Sequence, residues 1–243
     1  LDNFDLSPLS AFISRWGYYI SANTYGHATV RSALHNPQIN ARIDLNDITV
    51  NGIEAPPQLL TSNRDFERNR ARVIIRDSRS LDTVIRGYYQ PQGNRYFAEA
   101  KVKDVELALL QPVLNGIISD IHGTASAEAN IRGEGRMATL QGKAIVDSMD
   151  VHVDYTNTRY RAPRGELTIK DNHFIADRIP VYDEEGNLGH YSMDISLEHL
   201  SNITYDIDIE AKDMLVFDTD AKQNDLFYGH VYASGRASFR GDK

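Results

Sequence analysis

The sequence predicts an all-β chain: an antiparallel sheet of consecutive hairpins carrying one or two short helices. Two patterns lead there. The first is period-two alternation. Ala125, Ala127, Ala129 and Ile131 fall on one side of a strand, and Thr124, Ser126, Glu128, Asn130 and Arg132 on the other. Tyr191, Met193, Ile195 and Leu197 alternate with Ser192, Asp194, Ser196 and Glu198. Ile203, Tyr205, Ile207, Ile209 and Ala211 alternate with Thr204, Asp206, Asp208 and Glu210. The second pattern is recurrence. Ala127–Gly133 has a cousin in Gly26–Ser32, 101 positions upstream (132 − 31), and another in Gly235–Gly241, 108 positions downstream (240 − 132). Pro37–Ile43 matches Ala138–Ala144 at the first spacing. Leu6-Ser7-Pro8-Leu9 resembles Leu110-Gln111-Pro112-Val113. Self-similarity of this kind predicts a stack in which each unit buries its face against its neighbours. The pattern is cut at both ends, so the chain reads as a segment of a longer one. Residues 1–103 form a first unit, and 104–243 a second unit with the start of a third.

Taken in order, residues 1–23 read as a first helix at Ser7–Ser14 and its exit, with Trp16, Tyr18 and Tyr19 at a helix–sheet junction. Strands follow around Gly26–Ala33 and Ile39–Val50, closed by the Asn51-Gly52 turn signal. Pro56-Pro57 through Asn69 reads as a polar loop within 54–70. Strands resume at Ala71–Arg76, Ser80–Arg86 and Arg95–Lys103. Leu107, Leu110, Leu114, Ile117, Ile118 and Ile121 approach helical spacing, which predicts a second helix over Val105–Ile121, kinked or begun at Pro112. Met149, Val151, Val153 and Tyr155 then alternate, as do Leu167 and Ile169, and Glu184-Glu185-Gly186-Asn187 is a hairpin tip. Two short helices cannot cover a meander with this much apolar face. Either the sheet folds on itself or something else occupies the face.

Composition narrows the function. Of 243 residues, 41% are hydrophobic and 25% charged, which suits a folded core with a well-solvated exterior. No run approaches the roughly 18 apolar residues of a membrane-spanning helix. The absence of cysteine removes disulfides and thiolate metal sites. A net charge of −8 argues against nucleic acid. Arg64, Arg68, Arg70, Arg72, Arg76, Arg79 and Arg86 crowd one region, while Asp183–Asp225 is acidic. Solvated faces account for this, and so would arginines meeting anionic headgroups or an acidic partner. No catalytic constellation is visible. Asp183-Glu184-Glu185 sits at a hairpin tip, where solvation is expected. Asp218–Asp225 lacks the central glycine and closing glutamate of a calcium loop. The eight histidines show no zinc-site spacing. No nucleophile elbow or phosphate-cradling glycine loop occurs. The chain is read as a non-enzyme without metal or cofactor.

Several motifs in order resemble a known family. They are Leu110-x-Pro112 before Gly123-x-Ala125-Ser126-x-x-Ala129-x-Ile131-x-Gly133, then Val151-x-Val153-x-Tyr155-x-Asn157-Thr158-x-Tyr160, then Tyr182-Asp183-x-x-Gly186-Asn187, and finally Asn224–Gly235. Across nearly its whole length the chain resembles the C-terminal part of TamB-type proteins of the AsmA-like superfamily, most closely the Bacteroidota kind. Ala127 and Ser32 stand where that pattern has glycine. The resemblance implies an elongated sheet folded lengthwise into a taco-like groove with an apolar inside. It implies a periplasmic bridge anchored in the inner membrane, an outer-membrane partner of the Omp85 class (TamA-like), and passive phospholipid transfer between the membranes. Aid to outer-membrane protein assembly, through β-edge pairing, is the alternative. The residues expected to line the groove are Val151, Val153, Tyr155, Leu167, Ile169, Met193, Ile195, Leu197, Ile207, Ile209, Leu215 and Phe217. Cut sheet edges also predict end-to-end self-association of the segment. A purely structural module with a packed interior, or a carbohydrate-binding domain resting on Trp16 and the tyrosines, fits the residues as well.

Overall fold

The computed structural model describes residues 14, 17–31, 38–65, 69–116, 118–135, 137–198, 202–222 and 228–242. The all-β expectation holds: 78% of the chain is strand and 4% helical. The fourteen strands form one open antiparallel sheet, and nearly all neighbours in it are neighbours in sequence. They are β1 (Ile20–Arg31), β2 (Gln38–Val50), β3 (Ile53–Ala55), β4 (Gln58–Asp65), β5 (Arg70–Asp77), β6 (Thr83–Gln90) and β7 (Arg95–Glu106). After them come β8 (Ile118–Glu134), β9 (Met137–Val153), β10 (Thr158–Lys170), β11 (His173–Tyr182), β12 (Leu188–Glu198), β13 (Asn202–Thr219) and β14 (Gly229–Asp242). Short β3 pairs with β2 off the main path. As far as they are described, the recurring heptapeptides fall on β1, β8 and β14, and their continuations on β2 and β9. The repeat in the sequence is therefore carried by corresponding strands.

Two expected elements come out differently. The Val105–Ile121 helix shrinks to a 3-10 turn, Leu107–Leu110, followed by one α-helical turn, α1, Gln111–Leu114. Pro112 lies in the first turn, where its missing N–H costs nothing. Strand pairing claims Val105 on one side and Ile118–Ile121 on the other, so the apolar spacing belongs to three elements. The polar loop after Pro56-Pro57 is instead strand β4, whose Leu59 is buried and whose residues pair with β2 and β5. Its hydroxyl and amide side chains suit a strand with one solvated face. The expected Ser7–Ser14 helix and Trp16 lie outside the described residues, apart from Ser14.

The chain divides into two compact units. Unit 1 comprises Leu1–Val102 with Glu128–Thr139, and unit 2 comprises Lys103–Ala127 with Leu140–Lys243. In unit 1 the buried apolar side chains are few, Ile48, Leu59 and Ala138 among them. Unit 2 holds two clusters. Leu107, Ile121 and Val151 gather Leu114, Ile118, Ala125, Val146, Met149 and Tyr160. Ala162, Ala176 and Ile179 gather Leu167, Tyr191, Met193 and the same Met149. Because Met149 belongs to both, the clusters make one continuous apolar side.

The strands are interrupted by residues in the left-handed region, most of them not glycine. Asp47, Asp104, Asp120, Ser148, Arg178 and Asp213 have φ between 46° and 53°, a region few non-glycine residues visit. At Asp47, Arg178 and Asp213 the pairing slips by one residue, as in a β-bulge, which bends a strand and adds twist. Three of these left-handed positions share one support. The Asp104 N–H donates to Ser126 Oγ (3.1 Å), Arg178 N–H to Ser192 Oγ (3.0 Å) and Asp213 N–H to Ser234 Oγ (2.8 Å). Each serine hydroxyl then donates to a carboxylate, of Asp104, Asp177 or Asp213. The backbone donor at each of these positions is thereby satisfied by a side chain.

Candidate functional site

Pairing register places most of the expected apolar residues on one face of unit 2. Ile169 stands opposite Phe174, and Phe174 opposite Ile195. Ala176 faces Met193, which faces Ile207, while Tyr191 faces Ile209 and Leu197 faces Ile203. Directly paired residues share a face, so Leu167, Ile169, Met193, Ile195, Leu197, Ile207 and Ile209 form one surface across β10 to β13. Val151 joins it through Met149, which packs in both clusters. The inward parity changes within β10, from Thr158 and Ala162 to Gly165 and Ile169, all buried. The change lies beside left-handed Ser148 on β9, a backbone reversal that alternation alone does not reveal.

The face is unevenly covered. Val151, Ile169 and Leu215 are buried, whereas Leu167, Met193, Ile195, Leu197, Ile207 and Ile209 are half-buried. Val153 is half-buried opposite Thr158, and Phe217 half-buried opposite Val231. Tyr155 departs from expectation: it lies in the turn between β9 and β10 and is 75% exposed, because its apparent alternation continues into a turn. Strand β11 contributes Phe174, Ala176, Ile179 and Val181, which the sequence reading passed over; Phe174-x-Ala176 and Ile179-x-Val181 were its signal. Burial raises the hydroxyl pKa of Tyr191 above the ordinary value, and that of Tyr160 likewise. Even the polar ends of these side chains sit in a poorly hydrated setting.

One end of the face is drawn shut. Strands β10 and β13 are three places apart in the sheet, which in a flat sheet would separate them by roughly 14 Å. Yet Tyr160 Oη donates to the Leu215 carbonyl at 3.1 Å, and the Asp218 N–H donates to the Thr156 carbonyl at 2.9 Å. Asn157 Nδ2 donates to the Asp218 carbonyl as well. The sheet of unit 2 therefore curls about its apolar side at this end. Asp183 completes the clasp. Expected to be solvated at its hairpin tip, it is 2% exposed instead. Its Oδ1 accepts from the Glu185 and Asn187 N–H groups, and its Oδ2 from Asn187 Nδ2 and the Leu215 N–H of β13. Desolvation alone would raise its pKa, but the donors of Leu215, Asn187 and Glu185 outweigh that and hold the carboxyl below its usual range.

The opposite face of unit 2 is built from cross-strand ion pairs. Arg159 bridges Asp120 and Asp150, Arg164 meets Asp147 at 3.0 Å, and Arg240 meets Asp206 at 2.9 Å. A cavity of about 330 Å³ on this side is lined by Arg178, Ser192, Asp208, Glu210, Arg236 and Ser238. Arg178 and Arg236 both pair with Glu210, so its charges already answer one another. Among the described residues no three His, Cys, Asp or Glu side chains gather as metal ligands, and no helix is long and apolar enough to cross a membrane. Comparison with family models, curated proteins and solved structures finds no match for this chain.

Proposed function

We propose that this chain is a segment of a periplasmic bridge of the AsmA-like, TamB-type kind, whose unit 2 face holds phospholipid acyl chains in transit between the inner and outer membranes. The observation that carries the reading is the half-buried state of Met193, Ile195, Leu197, Ile207 and Ile209. Among the described residues they form one continuous apolar surface across β12 and β13. A tail of about sixteen methylenes has roughly 13 kcal/mol of gross burial available at about 0.8 kcal/mol each. A row of near-equivalent aliphatic side chains holds such a tail without fixing its position, so movement along the row needs no turnover chemistry. The parent protein would be anchored in the inner membrane and would meet an Omp85-class, TamA-like protein at the outer one.

Substitution with melting tests the reading. In a water- and lipid-accessible face, Ile207→Asp or Ile195→Arg leaves the chain folded, because the new charge is solvated, while copurified lipid falls. In a closed core the same change buries an unpaired charge and costs several kcal/mol. Unfolded variants, together with a lipid-free parent, refute the proposal. A second reading, assembly by β-edge pairing, is favoured by β14. Among the described residues it pairs with β13 alone, and Val231, Tyr232 and Phe239 are exposed along it. Retained lipid transfer after proline substitution along β14 would argue against that second reading.

A further inference from the structure

The polar face of unit 1 gathers Arg70, Arg72, Arg76 and Arg86 of the arginines that the sequence crowds together, while Arg64 pairs opposite Ala71 on the other side. Register runs from Arg42 through Thr61, Ile74 and Arg86 to Glu99, and from Asn63 through Arg72 and Tyr88 to Phe97. Arg70 and Arg76 share that parity on β5. Arg95 and Lys101 share it on β7, each reaching an acid of β8, Glu134 or Glu128. Arg86 pairs with Glu99 at 2.8 Å. These three pairs neutralise themselves. Arg42, Arg76 and Arg132 enter no ion pair among the described residues, and Arg70 lies over the Tyr88 ring at 4.2 Å. Arg72 shares their parity, and among the described residues Asp44 and Asp65 are the further carboxylates in this register, with Asp82 acting on Lys101 as well. Cations therefore exceed anions here, on a chain whose net charge is −8.

We infer that this face docks on the surface of a lipid bilayer rich in anionic headgroups. Two features select that occupant. Arg42, Arg76 and Arg132 spread from β2 to β8, five strand intervals or roughly 24 Å, instead of converging as donors around one phosphate must. A distributed charge matches a field of many phosphates. The aromatic residues beneath are also covered: Arg70 lies over Tyr88, Arg132 over Phe97 at 5.8 Å, and the two rings stack on each other. Among the described residues Tyr25, opposite Asp44, is the exposed ring on this face, and a single ring is no platform for the successive bases of a single-stranded nucleic acid. Attachment is therefore electrostatic and peripheral. This inference concerns unit 1 and not the unit proposed for acyl chains, and stands apart from that proposal.

The test is co-sedimentation of the full chain with vesicles of phosphatidylcholine alone, or with about three parts in ten phosphatidylglycerol, at low and high salt. The parent partitions onto the anionic vesicles and is released by salt. Each arginine near an anionic surface contributes about a factor of five, so Arg42→Ser, Arg76→Ser and Arg132→Ser together lower partitioning roughly a hundred-fold. Lysine at the same positions retains it, and a charge-matched control, Arg161→Ser, Arg164→Ser and Arg236→Ser in unit 2, leaves it within a few-fold. Thermal melting checks that each variant is folded. Equal binding to neutral vesicles, equal loss in the unit 2 control, loss in the lysine variant, or capture of single-stranded DNA in preference to vesicles would each overturn the inference.

Discussion

Replacing Asp183 with asparagine should loosen unit 2 far more than an exposed turn substitution would. Each carboxylate oxygen accepts two donors, Oδ1 from the Glu185 and Asn187 N–H groups and Oδ2 from Asn187 Nδ2 and the Leu215 N–H. Whichever way the amide of Asp183→Asn turns, its NH2 faces two of those donors. Two bonds are lost and the remaining two forfeit their charge assistance. An unsatisfied buried donor costs about 1–3 kcal/mol, and a charge-assisted bond is worth about twice a neutral one. The expected loss is about 3 kcal/mol, or about 6–12 °C in Tm for a chain of this size. Because hydrogen bonding holds the folded carboxyl below its unfolded pKa, its contribution is fully present above about pH 4 and is lost as pH falls through the lower, folded value. The gap between parent and variant, followed by thermal melting from about pH 7 to about pH 2, should therefore narrow in acid. Equal melting at neutral pH, or a gap that acid does not change, refutes the clasp.

Other perturbations follow the same geometry. Gly189→Ala would set a Cβ 2.9 Å from the Glu210 carbonyl and 2.2 Å from Met214 Sδ, so about 1–3 kcal/mol of overpacking is expected in urea melts. Adding Met214→Ala should not restore full stability, since the carbonyl cannot withdraw. Ser234→Ala removes the acceptor of the Asp213 bulge N–H; a loss near 1 kcal/mol by denaturant midpoint is expected, with Ser234→Thr retaining most of it. Arg159→Ala frees Asp120 and Asp150 from a shared guanidinium on a half-buried side chain and should cost about 1 kcal/mol, less in high salt, measured by melting at two ionic strengths.

The strands and their inward faces were legible because alternation survives in β12 and β13, where Tyr191–Leu197 and Ile203–Ala211 read cleanly. The bend was not. Arg178 and Ser148 carry left-handed backbone without being glycine or asparagine, so composition gives no hint of it. The helix over Val105–Ile121 failed because leucines from a turn and isoleucines from a strand chanced to share a spacing. Asp183 failed for a related reason: its partner donor belongs to Leu215, thirty-two positions away, and long-range burial has no local signature. Tyr155 shows the converse, an alternation that outlasts its strand.

The claim that acyl chains lie on one face of unit 2 is tested most directly by photocrosslinking along β13. A photoreactive residue at Ile207 or Ile209 points to the apolar side with Met193 and Tyr191, and one at Asp208 to the ion-paired side with Ser192. The account predicts phospholipid adducts by mass spectrometry from positions 207 and 209 and none from 208. Adducts at all three positions, or at none, would contradict it.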